Sequence, residues 1–186
     1  MLEEFHRTFQ LPICRTFAEA QASNLKLRHN LILEEYSEYS HAKERVDILD
    51  ALGDLLYVVA GTWITIGIFP AEYAANPPPT RTNYKIEILP QVSKYLEELR
   101  KDHLCYKGLY GSTTPLYWRL ETAAYTLGVD LLTVVRRIHA SNMTKLWTDK
   151  LVAEHWTNLP GHAANRVRDN LFVVKRVSDG KVIKST

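Results

Sequence analysis

Two acidic clusters lie in otherwise apolar sequence between Leu31 and Trp63: Glu34, Glu35 and Glu38, then Asp47, Asp50 and Asp54. Both have helical spacing. Glu34 and Glu38 are four apart and Glu35 and Glu38 three apart, so they share one helix face. Asp47, Asp50 and Asp54 follow an i, i+3, i+7 pattern and draw a second stripe. Beside that stripe run Ile48, Leu49, Leu52, Leu55, Leu56, Val58 and Val59. A helix this apolar belongs in a core, where an unpaired carboxylate is costly. Positive charge is therefore required between the stripes.

An antiparallel hairpin turning near His41 to Lys43 puts residues at equal height when their numbers sum to about 85. Glu38 then faces Asp47 and Glu35 faces Asp50. Four converging carboxylates repel one another unless protons or cations compensate, and that many hard oxygen donors suit Mg²⁺ or Mn²⁺. This register ranks Asp47 and Asp50 ahead of Asp54; a longer turn would bring Asp54 into the set. Arg28, seven residues before Glu35 on the same stripe, is placed either to pair with that carboxylate or to hold a phosphate, and the spacing does not choose.

With 186 residues, 46% hydrophobic and 24% charged, the chain suits one domain spanning residues 1–186 with a real core. A net charge of +2 and no basic run longer than Arg136-Arg137 argue against a nucleic-acid partner. Cys14 and Cys105 stand far apart without neighbouring metal-type ligands and read as free thiols in a reducing cytoplasm. The start, MLEEFHRTF, has no apolar signal-peptide core. The longest apolar run, Leu55 to Phe69, is about 15 residues, short of the ~20 needed to cross a bilayer. It reads as a core helix rather than a membrane span.

Patterning predicts a short N-terminal helix and arm, then helices over Asn24 to Tyr39, with Ser23 or Asn24 as its cap, and Glu44 to Phe69, closed by Gly67 and Pro70. The Pro-rich segment Ala74 to Asn83 cannot continue a helix. Helices are expected again over Ile86 to Lys101, over Pro115 to Thr126 and over Val129 to Trp147, the last with Leu131, Leu132, Val134, Val135 and Ile138 inward. Gly108 to Pro115 (GLYGSTTP) is expected as loop. Near the end, β-branched runs flank Asp179-Gly180, which predicts a hairpin at about 171–184. The fold class is an all-α helical bundle with a small C-terminal β-hairpin.

The sequence EEYSE (Glu34 to Glu38), followed by Asp47-Ile-Leu-Asp50 or by Ala51-Leu-Gly-Asp54, resembles the paired EExxE and ExxD motifs of the all-α, MazG-like nucleoside triphosphate pyrophosphohydrolases. The second motif departs from the pattern: Asp47 replaces the leading Glu, and the LGDLL phrase around Asp54 lacks the leading acid. IHASNMTKLW (Ile138 to Trp147), DGKVIK (Asp179 to Lys184) and the opening EEFHRTFQLPI are similar to phrases of the phosphoribosyl-ATP pyrophosphohydrolase-like subgroup. The resemblance covers roughly residues 1–69 and 125–186 and leaves about 70–120 as an insertion. Within the group, the whole looks most like the phage enzymes that hydrolyse deoxyguanosine triphosphate.

The resemblance implies that Asn142 and Lys145 contact a nucleotide and that Lys181 and Lys184 approach its phosphates. It implies hydrolysis of a deoxynucleoside triphosphate, dGTP first and dUTP or dCTP next, to the monophosphate and pyrophosphate. Two or three Mg²⁺ or Mn²⁺ ions would sit on Glu35, Glu38 and the aspartates, with Glu34 or Glu35 taking the proton of the attacking water. Two other readings compete: a phosphoribosyl-ATP hydrolase of histidine biosynthesis, and a non-catalytic helical module that stores a structural cation. His139 reads as a packed core histidine. Tyr36, Trp63, Trp147 and Trp156 are each able to stack a base or to pack, and the sequence does not pick one. Helices this apolar need further partners, which predicts a homo-oligomer, dimer or tetramer.

Overall fold

The computed structural model describes residues 1–20, 22–70, 84–101, 105–155 and 158–185, with 22–24 and 84–87 by backbone only. Among them the helices are α1 (Leu2–Thr8), α2 (Ala22–His41), α3 (Arg45–Ile66), α4 (Tyr84–Arg100), α5 (Tyr106–Thr126), α6 (Leu131–Met143) and α7 (Asp149–His155). The strands are β1 (Trp147–Thr148), β2 (His162–Arg168) and β3 (Leu171–Arg176). The protein is thus mostly helical with a small C-terminal sheet, in the expected class.

The α3 helix is the centre of the bundle. It is apolar on nearly every side, and Leu52, Leu55, Val59 and Ile66 are wholly inaccessible to solvent. By length and composition it would also cross a membrane, but 78% of its most apolar window is buried inside this protein. Around it pack α1, α2, α5 and α6, while α4 packs on α2 and α5. Phe5 of α1 meets Tyr57 of α3 edge-on at 5.5 Å. The helix ends at Gly67, whose φ of +65° is left-handed and whose α-carbon lies against the Thr16 backbone, so a side chain there has neither conformation nor room.

Four expectations change in the middle of the chain. Residues 108–115, expected as loop, are the first half of α5. Leu109, Ser112, Thr113 and Leu116 fall on one helical face and are buried, and the Ser112 and Thr113 hydroxyls donate back to the Gly108 and Leu109 carbonyls. Burial against α4 outweighs the poor helix propensities of Gly, Thr and Pro, and Pro115 lies inside the helix rather than at its first turn. The α6 helix is shorter than the expected Val129 to Trp147: Asp130 caps it by accepting from the Thr133 amide at 2.8 Å, and it stops at Met143. Leu132, expected inward, is 46% exposed. The Pro-rich segment, the proposed cap residues Ser23 and Asn24, and Trp156 lie outside the described residues or side chains.

The sheet is larger than a hairpin. β3 is central, with β2 antiparallel on one edge and β1 on the other. Past β1, that second edge is continued by the segment after the Asp179-Gly180 turn, bridged Lys175 to Val182, with the Ile183 amide donating to the Val174 carbonyl at 2.9 Å. The expected turn is therefore present, while the main partner of β3 is 162–168, which the sequence pattern did not suggest. Gly53 lets α6 approach α3: a Cβ there would stand 2.6 Å from Val134 and 2.9 Å from Ile138. That close packing sets the end of α6 beside the acidic face of the hairpin.

Candidate active site

A cavity of about 650 Å³ lies between α1, α2, α3, the end of α6 and the segment 180–184. This is the size of a small-molecule site. One end is acidic. Glu34, Glu35 and Glu38 of α2 and Asp50 and Asp54 of α3 line it. The register differs from the expected one. Arg28 bonds Val58 and Thr62, and Glu35 stands beside Asp54, so facing residues have numbers summing to 86–90 rather than about 85. The reason is the turn: α2 continues to His41 and the Ala42 amide still donates to the Glu38 carbonyl, so the chain reverses later. Asp47 consequently points away, exposed in the first turn of α3, and is not among the lining residues. Asp54 takes the place the sequence arithmetic gave to Asp47.

Crowding shows in the acidities. Burial first, then the negative charges of Asp54, Glu38 and Glu34, push Glu35 up to about 7. Asp54 is raised by burial, and further by Glu38 and Asp50, against the pull of Lys145. Facing them, Asn142 is buried at the end of α6, and Lys145 follows the helix rather than belonging to it. Burial and the neighbouring Lys184 lower the Lys145 ammonium pKa, while Asp54 and Glu35 support the charge. The Lys181 ammonium donates to Glu34 at 2.6 Å, so these two expected site residues are paired with each other. The Asp179-Gly180 turn presents Lys181: Arg176 and Asp179 are ion-paired, and Asp179 accepts from the Lys181 amide at 3.0 Å. Among the described residues Glu35, Glu38, Asp50 and Asp54 have no ion-pair partner.

The other end is apolar, walled by Leu2, Phe5, Leu11, Leu27 and Leu31. Arg28 lies here, buried. Its Nε donates to Thr62 Oγ1 at 3.1 Å and one Nη to the Val58 carbonyl at 2.6 Å, so the pairing with Glu35, one of the two roles the sequence left open, is not made. His6, 1% exposed, donates from Nδ1 to the Pro12 carbonyl at 2.7 Å. Burial lowers its pKa to about 4, with the Arg28 charge adding to the effect, so the ring is neutral at pH 7. Sequence reasoning missed His6, Tyr57 and Gly61 as cavity residues. Their only signal was their place on the inward faces of α1 and α3. His139, read as a packed histidine, links the Tyr57 hydroxyl (2.9 Å) to Glu4 (3.2 Å) and holds α1 on α3 and α6. The candidate stacking residues Tyr36, Trp63 and Trp147 do not line this cavity; Trp147, for example, donates to the Ile183 carbonyl and anchors the tail.

Residues 2–76 match the family described as phosphoribosyl-ATP pyrophosphohydrolase, a span that contains α1, α2, α3 and both acidic stripes. A protein of Acanthamoeba polyphaga mimivirus, described as "Uncharacterized protein L479", is 32% identical over 221 residues, covering 98% of this chain and 88% of the relative. The chain carries a domain of the MazG-like, phosphoribosyl-ATP pyrophosphohydrolase superfamily over residues 2–76. It is a pyrophosphohydrolase, a hydrolase of phosphoric anhydrides. No solved structure matches it. For this pyrophosphohydrolase, the family match covers the acidic wall of the cavity, while Asn142, Lys145 and the 180–184 segment come from the part of the chain outside it.

The family's association with divalent metals is testable against these residues. The donors are all hard oxygens, Glu35, Glu38, Asp50 and Asp54, and burial together with their mutual repulsion leaves Glu35 half titrated near neutrality. Among the described residues no three such groups are gathered at coordinating distance. The set fits a hard divalent cation in donor type and in uncompensated charge.

Proposed function

We propose that the protein is a divalent-cation-dependent nucleoside triphosphate pyrophosphohydrolase that converts a deoxynucleoside triphosphate, dGTP before others, to the monophosphate and pyrophosphate. The observation that carries this reading is the mutually repelling set of half-buried Glu35 and Asp54 with Glu38 and Asp50, facing Lys145 and Lys184 across one cavity. Bound by those carboxylates, Mg²⁺ or Mn²⁺ would supply charge neutralisation and Lewis acidity.

The chain's own residues do the rest. Water attacks the α-phosphorus, the bond from that phosphorus to the bridging oxygen breaks, and pyrophosphate leaves. Glu35, half-buried beside Asp54 and Glu38, is placed to accept the proton of that water. Glu34, the alternative, is held by Lys181. Lys145, deprived of water by burial, stabilises charge on the phosphates more strongly than an exposed lysine would. Asn142, buried and beside the Tyr57 hydroxyl, orients the substrate.

The test is a panel of deoxynucleoside triphosphates with Mg²⁺ or Mn²⁺, assayed for pyrophosphate against orthophosphate. Pyrophosphate release that disappears in Glu38→Gln, with folding intact, is expected. Release of orthophosphate alone, or an unchanged Glu38→Gln, would overturn the reading. We also propose a homo-oligomer acting in the cytoplasm. Leu132 and Tyr125, 46% and 56% exposed, rim an apolar groove with Trp63 and Leu131 that association would cover. Sedimentation tests that, and a monomer at all concentrations would exclude it.

A further inference from the structure

The buried end of the cavity holds two polar groups that neither the carboxylate chemistry nor the fold accounts for. Arg28 is a buried cation with no carboxylate partner among the described residues. Thr62 and the Val58 carbonyl take Nε and one N–H of Nη2 and fix the plane of the guanidinium, while the second N–H of Nη2 and both of Nη1 meet no acceptor among the described residues. His6 gives its only proton to the Pro12 carbonyl, so Nε2 carries a lone pair, and among the described residues no donor meets it. The two groups are neighbours. Measured from a Cβ built on Gly61, Arg28 Nη2 is 2.5 Å away and His6 Nε2 is 3.1 Å away. Gly61 is therefore a glycine because any side chain would occupy the ground these groups share.

A fixed donor beside a fixed acceptor, walled by Leu27, Leu31 and Phe5, matches a flat heteroaromatic edge. Seven residues of α2, or about 10 Å of helix, separate Arg28 from Glu35. That is the reach of a nucleotide from its base edge to its first phosphate. We propose that His6 and Arg28 form a base-reading subsite selective for bases that present a carbonyl next to a ring N–H. This deepens the nucleotide reading above and rests on it. In guanine and hypoxanthine, O6 accepts from Arg28 and N1–H donates to His6 Nε2; uracil and thymine offer the same pair at O4 and N3–H. Adenine, 2-aminoadenine and cytosine present the reverse, an amino group toward Arg28 and a bare ring nitrogen toward His6. Their binding leaves both protein groups buried and unpaired. The subsite thus favours dGTP or dUTP over dCTP.

The experiment is calorimetric binding of deoxynucleoside monophosphates to the full chain with Mg²⁺ present, which reads base selectivity without any hydrolysis. dGMP and dIMP are expected to bind at least on the order of 100-fold more tightly than dAMP and dCMP, and 1-methyl-dGMP, which lacks the N1–H, is expected to fall to the level of dAMP. His6→Phe, which keeps a flat ring and removes the lone pair, should abolish the preference without abolishing pyrophosphate binding. The methylated ligand carries the test if that variant does not fold. Equal binding of dGMP and dAMP, or undiminished binding of 1-methyl-dGMP, would overturn the subsite. Selective dGMP binding by a protein that hydrolyses no triphosphate would sustain the subsite while removing the hydrolase reading.

Discussion

Glu35→Gln should stabilise the metal-free protein while disabling it. Glu35 titrates near 7 rather than 4.5 because it is half-buried among Asp54, Glu38 and Glu34. A raised carboxyl pKa means the folded state favours the protonated form. That contribution is complete below pH 4.5 and is lost as the pH rises through 7. At pH 8 the ionised group therefore works against folding, by at most about 3 kcal/mol and by about 1–2 kcal/mol once solvent screening of a half-exposed group is allowed for. Glutamine has the shape of the protonated acid and carries no charge. In EDTA at pH 8 the variant should melt roughly 2–6 °C above the wild type, with the difference vanishing below pH 4.5. Adding Mg²⁺ should raise the wild type and lift the variant much less, and triphosphate hydrolysis should be lost. Differential scanning calorimetry with and without the cation measures all of this. A variant that melts at or below the wild-type temperature in EDTA at pH 8 would refute the repulsion argument.

Two further outcomes follow from the same geometry. Asp47→Asn should leave turnover within about twofold and stability within about 0.5 kcal/mol, as for an exposed residue, whereas Asp54→Asn should remove most activity; steady-state kinetics on the two variants decides, and the reverse order would restore the earlier-turning hairpin. His6 gives an acid-limb signature: its pKa falls from 6.5 to about 4 on burial, so its neutral form adds stability above pH 6.5 that disappears as the pH falls through 4. The loss over that window is about 3 kcal/mol, opposed in sign by Glu35, so it is read from the difference between wild type and His6→Gln in denaturant melts across pH 4–7.

Periodicity alone carried the helical class, because the spacing of apolar residues in α2, α3, α4 and α6 is a local property that tertiary packing only had to accept. It also marked both acidic stripes and the Asp179-Gly180 turn, since charge on an apolar face and a turn dipeptide between β-branched runs are visible one residue at a time. It failed at residues 108–115, where Gly, Ser, Thr and Pro argue for loop and burial of Leu109, Thr113 and Leu116 against α4 decides for helix. It failed to find β2 as the partner of β3, because strand pairing across the sheet is written in neither strand.

The site divides the same way. That carboxylates on α2 and α3 would face each other was determined by sequence. Whether Asp47 or Asp54 completes the set was not, since it turns on whether the chain reverses at 42 or about two residues later. The resemblance already assigned Lys145, Lys181 and Lys184 to the site, but only the tertiary structure pairs Lys181 with Glu34 and seats His6 beside Arg28 over Gly61. Those contacts join residues far apart in the chain. Their energies depend on burial and on the distance between charges, which no spacing along a single helix records.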